Sequence, residues 1–325
     1  MLEGVMMRGR HSWGVAVRRP SGDIARMAYP LAPAGSRRKF FRIPVIRGII
    51  ALYESLTLGI KALRISANIG LEEQVAPSET AEAVETGDGT VRAVAATPPA
   101  GEEGDGDKTE AFGKREMGVT VLFSALVVVG LFIVVPLVAA KAMGDLLANP
   151  ILFNLFEGVI RLILFIGYLL AVQLIPDLRR VWEYHGAEHK LIHAYEACGR
   201  ADPVFAQKFS TRHPRCGTGF LLLVFVLAVL LFAFVGRPAI YWLVLSRIIG
   251  IPIIVGIGYE VGIKWAGRSK RLWAKILLWP GIQLQRLTTR EPSLDQLEVA
   301  AAALEEVIAM DQVEVTAQKE ALAFS

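Results

Sequence analysis

Charged side chains vanish from Val119 to Ala140, a run of 22 apolar and small residues. At about 1.5 Å per residue, a helix of that length reaches roughly 33 Å, enough to cross the hydrocarbon core of a bilayer. Three more runs share the pattern: Ile151 to Ile175, which carries Glu157 and Arg161, then Phe220 to Val235, then Ala239 to Tyr259, which is interrupted by Pro252. A short connection joins the first two runs, and Gly236-Arg237-Pro238 joins the last two. Residues 118–260 thus read as a region of about four transmembrane helices folded as two hairpins, in a mainly α, polytopic α-helical membrane protein.

The remaining segments differ from one another. Residues 1–42 are basic and turn-rich. Val15 and Val17 alternate with Ala16 and Arg18, Arg19-Pro20-Ser21-Gly22 suits a turn, and Ile24 to Tyr29 suits a return strand, so a small N-terminal β-hairpin is expected. Residues 43–70 predict a helix that is apolar apart from Arg47, Glu54, Lys61 and Arg64 over 43–66. The first three recur every seven residues on one stripe, which favours an amphipathic or re-entrant helix over a lipid-exposed span. Residues 71–117 bring Glu72, Glu73, Glu79, Glu82, Glu85, Glu102 and Glu103 among Gly, Thr, Ala and Pro. Apolar burial there is too sparse to offset the entropy of ordering, so a disordered acidic linker is expected. In residues 261–325, Trp265, Trp273 and Trp279 lie among basic residues and suggest an interfacial helix. A soluble amphipathic helix capped by Ser293 and running through Met310 follows.

Composition sharpens this picture. The hydrophobic share is 53% and the mean hydropathy +0.44, above what a soluble chain carries. An ordinary cytosolic enzyme and a disordered protein are both excluded. The first thirty residues lack the apolar core of a secretory signal peptide. Two cysteines, Cys198 and Cys216, make no disulfide framework and suit a reducing compartment. Lys and Arg concentrate in the N-terminal region, in residues 176–216 and after the fourth run, while the hairpin connections hold only Lys141 and Arg237. The positive-inside rule then places both termini and residues 176–216 in the cytoplasm of a cell (inner) membrane protein. The net charge is +4, and no specific nucleic-acid partner is expected.

Candidate chemistry is concentrated in the cytoplasmic segment 176–216. Four of the five histidines, His185, His189, His193 and His213, fall there, the first three at i, i+4 and i+8. Asp177 after Pro176 can cap a helix start, and Gly199 can stop it. At about 100° per residue, His185, His189, His193 and Glu196 share an arc of roughly 80°, with Glu188 to one side. Two histidines one turn apart can hold one ion. Residues 185 and 196 are about 16 Å apart along the axis, so one ion cannot take both. His185-Gly-Ala-Glu188-His189 also fits H-x-x-E-H, in which two histidines bind Zn²⁺ and the glutamate serves as general base. A third ligand is needed, and the candidates are Glu260 at the end of the fourth run and His213 and Cys216 in His213-Pro-Arg215-Cys216-Gly-Thr218. The alternative for the His-rich segment is a solvated helix face, and for residues 213–218 a turn that caps the third span. Zinc is the default among divalent metals for such donors, with Mn²⁺ or Fe²⁺ as alternatives. Arg212 and Arg215 can bind a phosphate or lipid headgroup at the start of the third span. Glu157 and Arg161 form an i,i+4 pair and, with Arg247, are expected to face the interior of the bundle.

Glu3-Gly-Val-Met-Met-Arg8-Gly9, the Arg47-Gly48 helix, His185-Gly-Ala-Glu-His-Lys190, His213-Pro-Arg-Cys-Gly-Thr218, Tyr259-Glu260 and Leu297-Glu298-Val299-Ala300 together resemble the YqhQ-type family of bacterial multi-pass membrane proteins. The resemblance covers nearly the whole chain apart from the acidic linker. It implies a predicted metal-dependent enzyme without an assigned substrate. Family members usually begin slightly earlier, with a Gly-Gly-Gln-Ala-like stretch, which places the expected start upstream of Met1.

Two functions compete. One is a metal-dependent hydrolase in which His185 and His189 hold the ion and Glu188 activates water. The other is a membrane scaffold, transporter accessory or membrane-protein biogenesis factor, with the lipid bilayer on one side and a membrane or cytoplasmic partner on the C-terminal helix. A transporter comes third, since four spans would require a homo-oligomer.

Overall fold

The computed structural model describes residues 3–31, 39–75, 114–214, 216–236 and 240–323, so most of the acidic linker and Arg215 lie outside the described residues. The alternating N-terminal segment forms strands β1 (Gly4–Arg8), β2 (Ser12–Arg18) and β3 (Ile24–Pro30), an antiparallel sheet in the order β1-β2-β3. Val15 lies opposite Met6 on one side and Met27 on the other. The expected hairpin is therefore its second half, and its turn closes where Gly22 takes φ 100° and donates its N–H to the Arg19 carbonyl at 2.9 Å.

Both faces of this sheet are covered. Trp13, Val15 and Val17 point to helix α1 (Ile46–Val75) and meet Leu58, Ala62 and Ile69. The opposite face, with Val5, Met7 and Ala16, packs on the C-terminal helix α10 (Leu294–Ala323). The run Ala300–Ala303 keeps that helix thin where it crosses the sheet; a side chain at Gly14 would stand 2.9 Å from Val307 Cγ2. The amphipathic helix anticipated over 43–70 thus has a definite partner for its buried stripe. Tyr53, Leu56, Ile60 and Leu63 remain exposed on its other side.

The apolar runs become helices. The first comprises α2 (Lys114–Val129), a π-turn over Gly130–Val134 and α3 (Val135–Ala142). The second is α4 (Pro150–Val172), capped by Asn149. After α5 (Pro176–Cys198) and the short α6 (Pro203–Ala206) come α7 (Gly217–Ala233) and α8 (Ile240–Gly258), which continues as a π-turn over Tyr259–Trp265. Among the described residues three helices are long and apolar enough to cross a membrane: Leu122–Ala142, Pro150–Val172 and Leu245–Arg268. The expected third span, α7, has 17 residues and falls short of that length. Its extended Cys216 cap and the left-handed Gly236 mark the two ends of the segment.

Inside the bundle Glu157 pairs with Arg161 and lies 3.5 Å from Arg247 Nη2. Arg161 Nε donates to the Phe132 carbonyl in the π-turn at 2.7 Å, and Arg247 lies over the Phe232 ring at 4.2 Å. Charges in spans face such partners because hydrocarbon offers none.

Helix α9 (Leu272–Thr288) packs on α7 with Gly281 against Gly219; a Cβ on Gly281 would stand 2.9 Å from the Gly219 Cα. Its other side leaves Leu272, Trp273, Ile276 and Trp279 exposed, as an interfacial helix requires. Helix α10 begins with a capping box in which Ser293 N–H donates to Gln296 Oε1 at 2.9 Å and Gln296 N–H to Ser293 Oγ at 3.4 Å. It runs past the expected end at Met310, and Asp311 bonds back to the β1–β2 turn. Its apolar face is covered within the chain, by the sheet and by α5.

Candidate metal centre

Helix α5 has the predicted length. Its cap is Ile175, without a side-chain bond, so Asp177 sits in the first turn, where its charge complements the helix dipole. Gly199, at φ 72°, ends it with an N–H bond to the Tyr195 carbonyl at 2.7 Å. One face of α5, including Tyr184, Ala187, Leu191 and Ala194, packs into the core with α10. The histidines point instead to the loop between α6 and α7 and to the end of α9.

That end passes very close to α5. A Cβ on Gly186 would lie 2.0 Å from the Arg290 carbonyl oxygen, and the Arg290 N–H donates to the Trp182 carbonyl at 2.9 Å. The glycine inside the histidine motif therefore makes room for residues 288–290. Lys190 is buried, donates to the Gln207 carbonyl at 2.8 Å and pairs with Glu291.

Each histidine of α5 has one ring nitrogen held by a backbone carbonyl. His185 Nδ1 meets Thr288 O at 2.7 Å, His189 Nδ1 meets Thr211 O at 2.6 Å, and His193 Nε2 meets Arg212 O at 2.9 Å. An imidazole that donates to a carbonyl keeps its other nitrogen as an acceptor, which is how metal-binding histidines are oriented. His185 Nε2 faces Cys216 Sγ at 3.3 Å, and the thiol also meets Thr218 Oγ1 at 3.1 Å. Burial pushes the Cys216 thiol up, but the hydrogen bond and charge of His189, together with Thr218, hold it below its usual value.

The candidates fall into two groups. His185, His189 and Cys216 offer ligand atoms within 4.8 Å of one another, and so do His193, Glu196 and His213. The groups adjoin, with the His189 and His213 rings 5.9 Å apart. In the second, His213 Nε2 lies 3.7 Å from Glu196 Oε2. Glu260 belongs to neither group: its carboxylate takes Arg47 and the Val45 backbone N–H, which ties α1 to the end of α8. The sequence suggested it as a third ligand because a carboxylate beside lipid needs a partner, and the partner is a guanidinium.

Glu188, half-buried, has no hydrogen-bond partner among the described residues. Burial raises its pKa, with the nearby His185 acting in the opposite direction. Arg212 contributes its backbone to the site, as the carbonyl that holds His193. Gln285 was not found from the sequence. It is 1% exposed and clamps the His213 backbone with both ends of its amide, and nothing in the sequence distinguishes it from Gln283 on the same helix.

The donor set fits a transition metal. Two imidazoles, each held by a backbone carbonyl, and a thiol below its usual pKa suit Zn²⁺, and three such ligands would leave a fourth position open, as in catalytic zinc sites.

A family described as "Protein of unknown function (DUF1385)" matches residues 43–310. The chain is also 29% identical over 331 residues, 98% of its own length and 94% of the other's, to the uncharacterized protein YqhQ of Bacillus subtilis (strain 168). No solved structure matches it.

Proposed function

The chain belongs to the DUF1385 family, and from that premise we propose that it is a metal-dependent integral membrane hydrolase with its centre at the cytoplasmic face. The observation that carries the reading is the convergence of His185 Nε2, His189 and Cys216 Sγ, with each imidazole oriented by a backbone carbonyl. His185, His189 and Cys216 hold one divalent ion, zinc by the character of the donors. His193, Glu196 and His213 offer a neighbouring N, N, O set for a second. Zn²⁺ in a three-ligand site supplies Lewis acidity and a nucleophile at neutral pH.

The chain's own residues do the rest. Glu188, one residue before His189, takes a proton, and its burial brings its basicity toward the working range of a general base. Thr288, Thr211 and Arg212 fix the imidazoles through their carbonyls. Arg212 and Arg215 supply positive charge for an anionic substrate group. The non-enzymatic alternative has less support, because α10 turns its apolar face to the sheet and α5 and leaves little of it for a partner.

Elemental analysis of protein purified without added metal or chelator is the direct test. Stoichiometric zinc, manganese or iron is expected. Protein free of transition metal, with a His189→Ala variant indistinguishable in stability and complementation, overturns the reading.

A further inference from the structure

A cavity of about 240 Å³ lies between α7, α9 and the π-turn at the end of α8, and Cys216 is part of its wall. Around it stand Phe220, Leu222, Val226, Leu277 and Ile282, with Gln285 as the other polar group at the Cys216 end. Gly219, Gly262 and Gly281 also line it, at places where the elements around it pack closely; a Cβ on Gly262 would stand 2.5 Å from Leu223 Cδ2. Its rim includes Val226, Ile263 and Ile276, which are 37%, 36% and 65% exposed. The slot is thus polar at one end, where it touches a candidate ligand, and apolar at the other, where it reaches the apolar surface of the bundle.

The position of the mouth identifies what reaches it. Ile276 sits on α9 between Trp273 and Trp279, and Ile263 is close in sequence to Trp265, all three tryptophans being exposed. Exposed tryptophans with flanking Lys264, Arg268, Lys270, Arg271 and Lys275 mark the headgroup level of a membrane. A molecule entering there comes from the bilayer with its tail in hydrocarbon. A buried apolar slot favours such a tail by roughly 25 cal/mol for each Å² it covers.

We infer that the cavity receives an acyl chain of a membrane phospholipid and brings the headgroup end to the His185–His189–Cys216 group, so that the substrate is an acyl-chain lipid. This rests on the proposed metal site for its chemistry, but the binding of the chain can be tested alone. The probe is a phosphatidylethanolamine with a diazirine near the end of one acyl chain, in vesicles of phosphatidylethanolamine and phosphatidylglycerol containing the full-length protein. After illumination, mass spectrometry should find crosslinks on the wall residues Leu222 and Leu223, which are buried, and Ile282, which is half-buried. Val226→Trp and Leu277→Trp, two independent plugs away from the proposed ligands, should each reduce these crosslinks at least tenfold. Crosslinks on the lipid-facing residues Leu122 and Leu126 should stay unchanged, as should metal content. Absence of wall crosslinks in the wild type, or crosslinks indifferent to both plugs, overturns the inference. Displacement of the probe by a polyprenyl phosphate but not by unlabelled phosphatidylethanolamine overturns the choice of an acyl chain. Stoichiometric metal without wall crosslinks sinks this inference alone. Wall crosslinks in protein without metal sink the metal reading and leave the lipid slot standing.

Discussion

The side-chain amide of Gln285 is bonded to both backbone groups of His213: its Nε2 donates to the His213 carbonyl at 2.9 Å, and its Oε1 accepts the His213 N–H at 2.7 Å. This clamp fixes the loop that supplies Thr211 O, Arg212 O and Cys216 to the histidines of α5. Gln285→Leu keeps the size and leaves two buried backbone groups unpaired. It should cost about 1–3 kcal/mol of stability, since lost hydrogen bonds to buried groups cost that much. Metal affinity should fall about 10–100-fold, the usual effect of disturbing a ligand's support. Thermal denaturation in detergent and a chelator titration measure both, and an unchanged affinity would show that the loop positions nothing.

Ligand replacements should do more. His185→Ala, His189→Ala and Cys216→Ala should each remove most of the ion held by that group, beyond the roughly 100-fold upper range for supporting residues. His193→Ala should leave that ion in place and lower only a second equivalent. Equal losses for His193→Ala and His189→Ala would mean that the two groups share one ion.

Glu188→Gln separates binding from chemistry. It preserves shape but removes the base. Metal content should match the wild type while complementation of a deletion strain fails. Full complementation by this variant would remove Glu188 from the reaction.

Gly186→Ala should be poorly tolerated for a purely steric reason. The added methyl would lie 2.0 Å from the Arg290 carbonyl oxygen, so residues 288–290 must move and His185 must lose its Thr288 bond or follow it. Overpacking of this kind costs about 1–3 kcal/mol. A melting temperature equal to the wild type would show that the α9–α10 connection yields freely.

Asp311 predicts a pH dependence. Its carboxylate accepts Ser12 Oγ at 2.6 Å and the N–H groups of Arg10 and His11 at 2.9 and 3.0 Å. Burial pushes its pKa up, but these bonds outweigh burial and hold it below the usual carboxylate value. A lowered native pKa means that its contribution is present above the unfolded value, near 4, and is lost as pH falls through the lowered one. Asp311→Asn should therefore flatten stability against pH on the acid side. An unchanged acid limb would assign that limb to other carboxylates.

Topology follows from the basic segments. A single cysteine at exposed Asp145, in an otherwise cysteine-free chain, should react with an impermeant reagent from outside the cell. One at exposed Lys208 should react only after permeabilisation. The reverse pattern would move the centre to the other face of the membrane.

The helical bundle and α5 were legible because long apolar runs and an i, i+4, i+8 histidine series are local signals. The candidate ligands were legible as residue types, and the axial distance between His185 and Glu196 already ruled out one ion bound to both. Their grouping was not legible, because it depends on how residues 211–218 fold back on α5, a long-range relationship with no period. Strand β1 went unrecognised because Val5-Met6-Met7 is too short an apolar run to show alternation. Its pairing comes from β2, and its inner face from a helix almost 300 residues later.

That last relationship has a consequence for synthesis. A ribosome adding about 5–20 residues per second needs tens of seconds to reach α10. Until then one face of the N-terminal sheet, with Val5, Met7 and Ala16, lacks the helix that covers it, and the inner side of α5 has only part of its packing. The membrane helices can be inserted while this half-made domain waits outside the bilayer. A nascent chain stalled before Leu294 should therefore be well anchored, yet protease-sensitive at its N terminus.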